Sequence, residues 1–173
     1  MTASRFPRDT LYDSPQSPVD FAFDERTVAV FPDMIHRSIP GYAALLQMTA
    51  AIAGEFLQDG DHVYDLGCSL GGVSLAIKRV VDVSVQMSAV DLSAAMTARL
   101  REFVEGAGIA GMEVIQADIT TLPLQASRLI VLNFVLQFIA PEARDALLAR
   151  IYQALPAGGA LLIAEKTRPE KDC

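Results

Sequence analysis

Four short clusters of residues are placed where a nucleoside could be held. The first is Val63-Tyr64-Asp65-Leu66-Gly67-Cys68-Ser69-Leu70-Gly71-Gly72. Glycines after an apolar run let a chain turn tightly and let its backbone come close to a ligand. The N–H groups that open the next helix can receive a carboxylate or another polar group. Taken alone, the same pattern also describes a plain strand-to-helix turn. Asp91 adds weight. It ends the next apolar run, about 20 residues on, where the two oxygens of an acid can accept both hydroxyls of a ribose. Ala117-Asp118-Ile119 and Asn133 end two further runs. All four clusters fall at the carboxyl ends of expected strands, where open parallel sheets bind ligands. Asn133 has a plainer reading too, as a side chain that caps a strand end.

The elements that must position these residues follow from the pattern. Asp59-Gly60-Asp61 makes a turn, and strands are expected at 62–66, 84–90, 112–116, 129–133 and 160–164. Helices are expected at 73–80, from the N-cap Ser93 to about Gly106, and at 142–155 behind Pro141. Pro156-Ala157-Gly158-Gly159 ends the last of them. Strands alternating with helices predict an α/β fold, a mostly parallel sheet with helices on both faces. Residues 42–57 are apolar all round, as in a buried helix, and follow an apolar block at 21–35 that Pro32 interrupts. Residues 1–20, with Pro7, Pro15 and Pro18, predict an extended or disordered lead-in, leaving 21–173 as one domain.

Composition narrows the chemistry. The net charge is -7 and the pI about 4.7, with no basic stripe, which argues against direct nucleic-acid binding. Cys68 and Cys173 form no CxxC, so neither a disulfide framework nor a metal site is expected, in keeping with a reducing cytoplasm. No signal peptide is read, and no apolar run approaches the roughly 20 residues of a membrane helix. Cys68 reads as a small residue filling a tight loop, not a nucleophile. His36 reads as a surface residue, His62 as a strand-edge residue, and Phe134, Leu136 and Phe138 as core.

The loop resembles the Asp-x-Gly-x-Gly pattern of class I S-adenosylmethionine-dependent methyltransferases, with Ser69 in place of the second glycine. That resemblance implies a Rossmann-like fold. A nicotinamide dinucleotide would instead call for G-x-G-x-x-G, a spacing this loop lacks. A narrower resemblance, to carboxy-S-adenosyl-L-methionine synthases, rests on Phe31-Pro32-Asp33-Met34-Ile35, Arg37-Ser38, Pro40-Gly41-Tyr42, Asp65 to Ser69, Leu132-Asn133-Phe134, Leu136-Gln137-Phe138 and Glu165-Lys166. It implies a transferase that turns S-adenosylmethionine and prephenate into carboxy-S-adenosylmethionine and phenylpyruvate. The sulfonium would acidify its methyl group, and prephenate would supply carbon dioxide and base as its ring becomes aromatic. No catalytic side chain is demanded; the protein has to exclude water and hold the reactants together.

The resemblance further implies a cytoplasmic homodimer with no metal, linked to a tRNA carboxymethyltransferase that modifies a wobble uridine. Its ligand residues fall on Tyr42, Gly67, Cys68, Ser69, Asp91, Leu92, Asp118, Ile119 and Asn133. Leu92 departs from the family's asparagine, and Ala164 and Thr167 from its serine and phenylalanine. Family members continue well past Lys166, through two final strands and an arginine that pairs with the transferred carboxylate. A truncated chain lacking its last strands, with slow turnover, is therefore expected. Two other functions stay open: an ordinary methyltransferase of RNA or a small molecule, and a non-catalytic nucleoside-binding remnant.

Overall fold

The computed structural model describes residues 25–81 and 83–167. The expected lead-in at 1–20 and the tail Lys171-Asp172-Cys173 lie outside the described residues. The elements run α1 (Glu25–Ser38), α2 (Tyr42–Phe56), β1 (His62–Leu66), α3 (Gly72–Val80), β2 (Gln86–Asp91), α4 (Ala94–Gly106), β3 (Met112–Gln116), β4 (Leu129–Asn133), α5 (Pro141–Ala154) and β5 (Ala160–Ala164), with a 3-10 turn at Leu136–Phe138. The strands form one sheet in the order β3-β2-β1-β4-β5, and every pairing is parallel. The chain builds outward from β1 to β2 and β3, then crosses back to β4 and β5. The carboxyl ends of β1 and β4 therefore flank the point where the strand order reverses, the usual binding crevice of such sheets.

Side chains alternate between the two faces of each strand. Val63, Met87, Leu129 and Val131 pack with Ala53 of α2, Leu57 just after it, and Val73 and Ile77 of α3. Tyr64, Leu66, Val90, Ile130 and Leu132 meet Leu147, Ile151 and Ala154 of α5. Leu66, Ile130 and Leu132 are fully buried, each worth about 1.5–3 kcal/mol relative to exposure. Leu100 and Val104 bring α4 against Ala89. The same alternation puts Asp65 on the α3 face, two residues beyond Val63. Among the described residues no helix is long and apolar enough to cross a membrane.

Four expectations change. α2 is apolar all round but is not a buried helix: Thr49, Ala50 and Ala53 face inward, while Met48 and Ile52 on its other face are exposed, because only one side of it has the sheet and α3 to pack against. Within the expected apolar block, residues 25–35 belong to α1, which runs on through Pro32. A proline inside a helix removes one backbone bond and costs about 3 kcal/mol or more, yet Thr27 and Phe31 are buried beside it, so packing holds what local preference opposes. The second strand starts at Gln86 because Ser84 is used in the preceding turn: its N–H donates to Asp59 Oδ1 (2.7 Å) and its carbonyl accepts from Gly60 (2.8 Å). His62 is not at a sheet edge. It opens the central strand, with Nδ1 2.7 Å from Ser127 Oγ and Nε2 3.0 Å from Ser88 Oγ. Burial lowers its pKa. This serine–histidine cluster sits at the opposite end of the sheet from the crevice and serves the fold.

Candidate functional site

The glycine loop is shaped by what lies around it. Gly67 has φ +85°, and a Cβ there would collide with Val135, so the position needs glycine. The N–H groups of Gly67 and Cys68 both donate to the carbonyl of Val90, hooking the loop over the end of β2 (2.8 and 2.9 Å). Ser69 has φ +52°, a left-handed backbone that a serine adopts at a cost and a glycine adopts freely. That conformation gives the Asp-x-Gly-x-Gly pattern its physical basis at this position. Cys68 is buried and its thiol pKa is pushed far up, first by burial and then by the charges of Asp65 and Asp91. The side chain is inert filling, as expected. Asp65 is fully buried and accepts from Ser74 through its N–H (3.1 Å) and Oγ (2.6 Å). Burial outweighs those bonds and lifts its pKa to about 6.

Asp91 ties the loop to the next strand. Its Oδ2 accepts the N–H of Ser69 (2.8 Å) and its Oδ1 the N–H of Ser93 (2.9 Å). Each carboxylate oxygen has room for a second donor, so both stay able to receive a hydroxyl. Leu92 follows, 68% exposed at the rim. At the end of β3, Asp118 Oδ1 accepts from the hydroxyl and the N–H of Thr120 (2.7 and 2.8 Å), which together hold its carboxyl below the usual range. Arg150 of α5 donates to the carbonyls of Ile119 and Thr120. Its fork fixes the path of that loop from the other side.

Asn133 ends β4, and its Oδ1 is buried without a hydrogen-bond partner. An unmet buried acceptor costs about 1–3 kcal/mol, which a ligand donor would remove. Phe134 follows in a left-handed conformation (φ +60°), held by its own N–H to Ala164 O (2.7 Å) and by Gln137 Nε2 to its carbonyl (3.0 Å). Strain of this kind tends to collect at ligand sites. Glu165 Oε1 accepts the N–H of Leu136 (2.6 Å), pinning the end of β5 to this turn. Over the crevice comes Tyr42, a buried phenol whose pKa is raised to about 12 by burial and by Asp65, so it stays a neutral donor. Its ring meets the edge of His36 at 5.4 Å. A Cβ on Gly72 would lie 2.6 Å from its hydroxyl oxygen. The exposed ring of His36 bears out its expected surface position.

These groups border one cavity of about 780 Å3, and all nine expected ligand residues line it. That size is ordinary for a nucleoside-sized ligand. The orphaned Asn133 acceptor and the acids Asp91 and Asp118 suit a ligand rich in N–H and O–H donors, as S-adenosylmethionine is. Sequence reasoning missed the apolar half of the wall. Phe31, Met34 and Ile35 of α1 line it, as do Phe134 and Phe138. Phe138 is 60% exposed and Phe134 is half-buried on the cavity wall, so the expected core cluster is corrected for these two, while Leu136 packs against the core as expected. These rings are spent on the cavity. The signal in the sequence was membership of the motif blocks, and the pattern there read as core for the rings at 134 and 138.

A methyltransferase domain model matches residues 63–159. Among solved structures, a protein of Methanococcus maripaludis classed with S-adenosyl-L-methionine-dependent methyltransferases aligns with TM-score 0.68 and 21% identity over 87% of this chain and 68% of its own. Coclaurine N-methyltransferase, bound to N-methylheliamine and SAH, aligns with TM-score 0.60 and 24% identity over 70% of this chain and 35% of its own. At those identities the likeness shows the fold. Carboxy-S-adenosyl-L-methionine synthase of Dichelobacter nodosus is 60% identical over 98% of this chain and 71% of its own length. The synthase of Stutzerimonas stutzeri is 48% identical over 95% and 69%. That of Erwinia tasmaniensis is 46% identical over 92% and 66%, so the chain spans roughly two-thirds to seven-tenths of these relatives. With its five parallel strands and its glycine loop, the chain belongs to the carboxy-S-adenosyl-L-methionine synthases, transferases of the class I S-adenosylmethionine-dependent methyltransferase fold.

Proposed function

We propose that this chain joins S-adenosylmethionine to the carboxyl carbon of prephenate, giving carboxy-S-adenosylmethionine and phenylpyruvate. The observation that carries this reading is the single cavity bordered by all nine expected ligand residues, with an unmet acceptor at Asn133. Residues 21–173 act as one binding domain. Asp91 takes the ribose hydroxyls, Asp118 and Ile119 flank the adenine, and Gly67, Cys68 and Ser69 lie along the methionine part. Leu92 offers backbone at the rim. Tyr42 closes the crevice as a neutral donor.

The bound sulfonium supplies an acidified methyl group. The chain's own residues orient it and keep water away. Phe31, Met34, Ile35 and Phe134 make that wall apolar, and an apolar wall suits a reaction that must retain carbon dioxide. None of the described side chains needs to act as a strong base, since the departing hydroxide of prephenate can serve. The product would be handed to a tRNA carboxymethyltransferase for a wobble uridine, in the cytoplasm, by a homodimeric enzyme.

Incubation with S-adenosylmethionine and prephenate tests the reading. Phenylpyruvate and a nucleoside heavier than S-adenosylmethionine by one carboxylate are expected in equal amounts. Methyl transfer to another acceptor, with neither product formed, would overturn it. Asp91→Ala should weaken nucleoside binding by about 1.5–3 kcal/mol, the range for hydrogen bonds to a charged group, and unchanged affinity in calorimetry would remove Asp91 from the site.

A further inference from the structure

The charges around the cavity are unevenly shared. Three acids border it, Asp65, Asp91 and Asp118, and among the described residues one cation does, Lys166. The acids are accounted for by the nucleoside and the loop. The lysine is not, and the proposed reaction gives the Glu165-Lys166 motif block no task. The position of the lysine is nevertheless built. β5 pairs with β4 so that Ala164 lies opposite Asn133. Phe134 donates to Ala164, and Glu165 accepts from Leu136 at 2.6 Å. The strand end is thereby clamped to the turn that carries Phe134 and Phe138, and the next residue, Lys166, opens onto the cavity beside them. Apolar rings and an exposed ammonium on one cavity wall form a site for a molecule that is part ring and part carboxylate.

We propose that Lys166 binds a carboxylate of the acidic co-substrate, whose ring rests on Phe134 and Phe138. The proposal rests on the reaction above, because that reaction brings a ring-bearing dicarboxylate to this cavity. A cation is needed there for a simple reason. An anion entering a cavity with three acids on its wall is repelled, and one ammonium at the rim offsets that repulsion and sets which end of the molecule enters first. Lysine suits a carboxylate that must move on, since it holds a point charge without fixing a bidentate geometry.

The test is equilibrium binding of prephenate to the whole chain saturated with S-adenosylhomocysteine, for the wild type, Lys166→Met and Lys166→Arg. Lys166→Met should raise the prephenate Kd about tenfold or more, the weight of one charge-assisted hydrogen bond. It should leave the S-adenosylhomocysteine Kd unchanged, and Lys166→Arg should restore most of the prephenate affinity. Equal prephenate binding by the wild type and Lys166→Met would overturn the proposal, as would a wild type that binds no prephenate. A parallel loss of S-adenosylhomocysteine affinity in Lys166→Met would also overturn it, by assigning the lysine to the amino-acid carboxylate of the nucleoside. Turnover is read alongside. Prephenate bound through Lys166 with no phenylpyruvate released would defeat the proposed reaction and still support the contact.

Discussion

At the scale of single residues, two acids with the same side chain are set to different tasks by their surroundings. Asp91 accepts one backbone N–H on each oxygen and keeps room on each for a hydroxyl. Asp65 is fully buried, and desolvation raises its pKa from 3.8 to about 6 in spite of the bonds from Ser74. The folded chain then holds this proton more tightly than the unfolded chain. This group's contribution to stability is present below pH 3.8 and is lost as pH rises through about 6. A cation bound in the cavity offsets part of that loss by favouring the ionised form. S-adenosylmethionine carries a sulfonium and S-adenosylhomocysteine does not, so the pair isolates the charge. Lowering the pH from 7.5 to about 5.5 should weaken S-adenosylmethionine more than S-adenosylhomocysteine, because protonation removes the charge that favours the sulfonium. Calorimetry with both ligands across that window measures the ratio of the two Kd values. A ratio that does not change with pH would remove Asp65 from the sulfonium's surroundings. Asp65→Asn should flatten the slope.

Among the elements, the strands were legible in the sequence as short apolar runs, and three of them end at or just before a chemically distinct residue. Asp91, Asp118 and Asn133 could be read in this way. The role of α1 could not. Its apolar residues and internal Pro32 gave conflicting local signals, and only tertiary packing makes it a helix whose Phe31, Met34 and Ile35 border the cavity. Arg150 was equally hidden. It lies in α5, a helix whose local pattern speaks only of packing on the sheet, and its partners are carbonyl oxygens, which leave no mark on the sequence. Its guanidinium supports the Asp118–Ile119 loop without lining the cavity. Arg150→Met keeps the aliphatic stem and removes both bonds. Stability should fall by about 1–3 kcal/mol, and nucleoside affinity should drop as the loop loosens. Arg150→Lys should rescue little, since one ammonium cannot span two carbonyls as a fork does. Amide hydrogen exchange across residues 118–122 should quicken in the variants. Unchanged exchange there would mean that the loop holds its shape without the arginine.

For the whole molecule, charge decides what the chain can bind. It carries 14 lysines and arginines against 21 aspartates and glutamates. Nucleic-acid affinity comes chiefly from basic side chains that neutralise phosphates, so the number free to do so matters as much as the net charge. Many of the basic residues here are already engaged. Arg37 pairs with Asp33 and Arg99 with Glu102. Lys78, Arg101, Arg128 and Arg144 donate to the carbonyls of Val85, Val114, Ala157 and Ile139, and Arg150 to two more. These sites are distributed over several elements and form no stripe along one groove. Turning them toward a phosphate backbone would break bonds that hold loops and strand ends, on a surface whose overall field is repulsive to RNA. The chain should therefore show no measurable tRNA binding at physiological salt, in keeping with the proposed function, in which a diffusible small product carries the link to tRNA. Filter binding or gel shift with unmodified tRNA, at about 0.05 and 0.15 M salt, gives the answer through the salt slope. Tight binding that weakens steeply between those concentrations would mean that the chain meets its RNA directly, and would revive an RNA methyltransferase as its function.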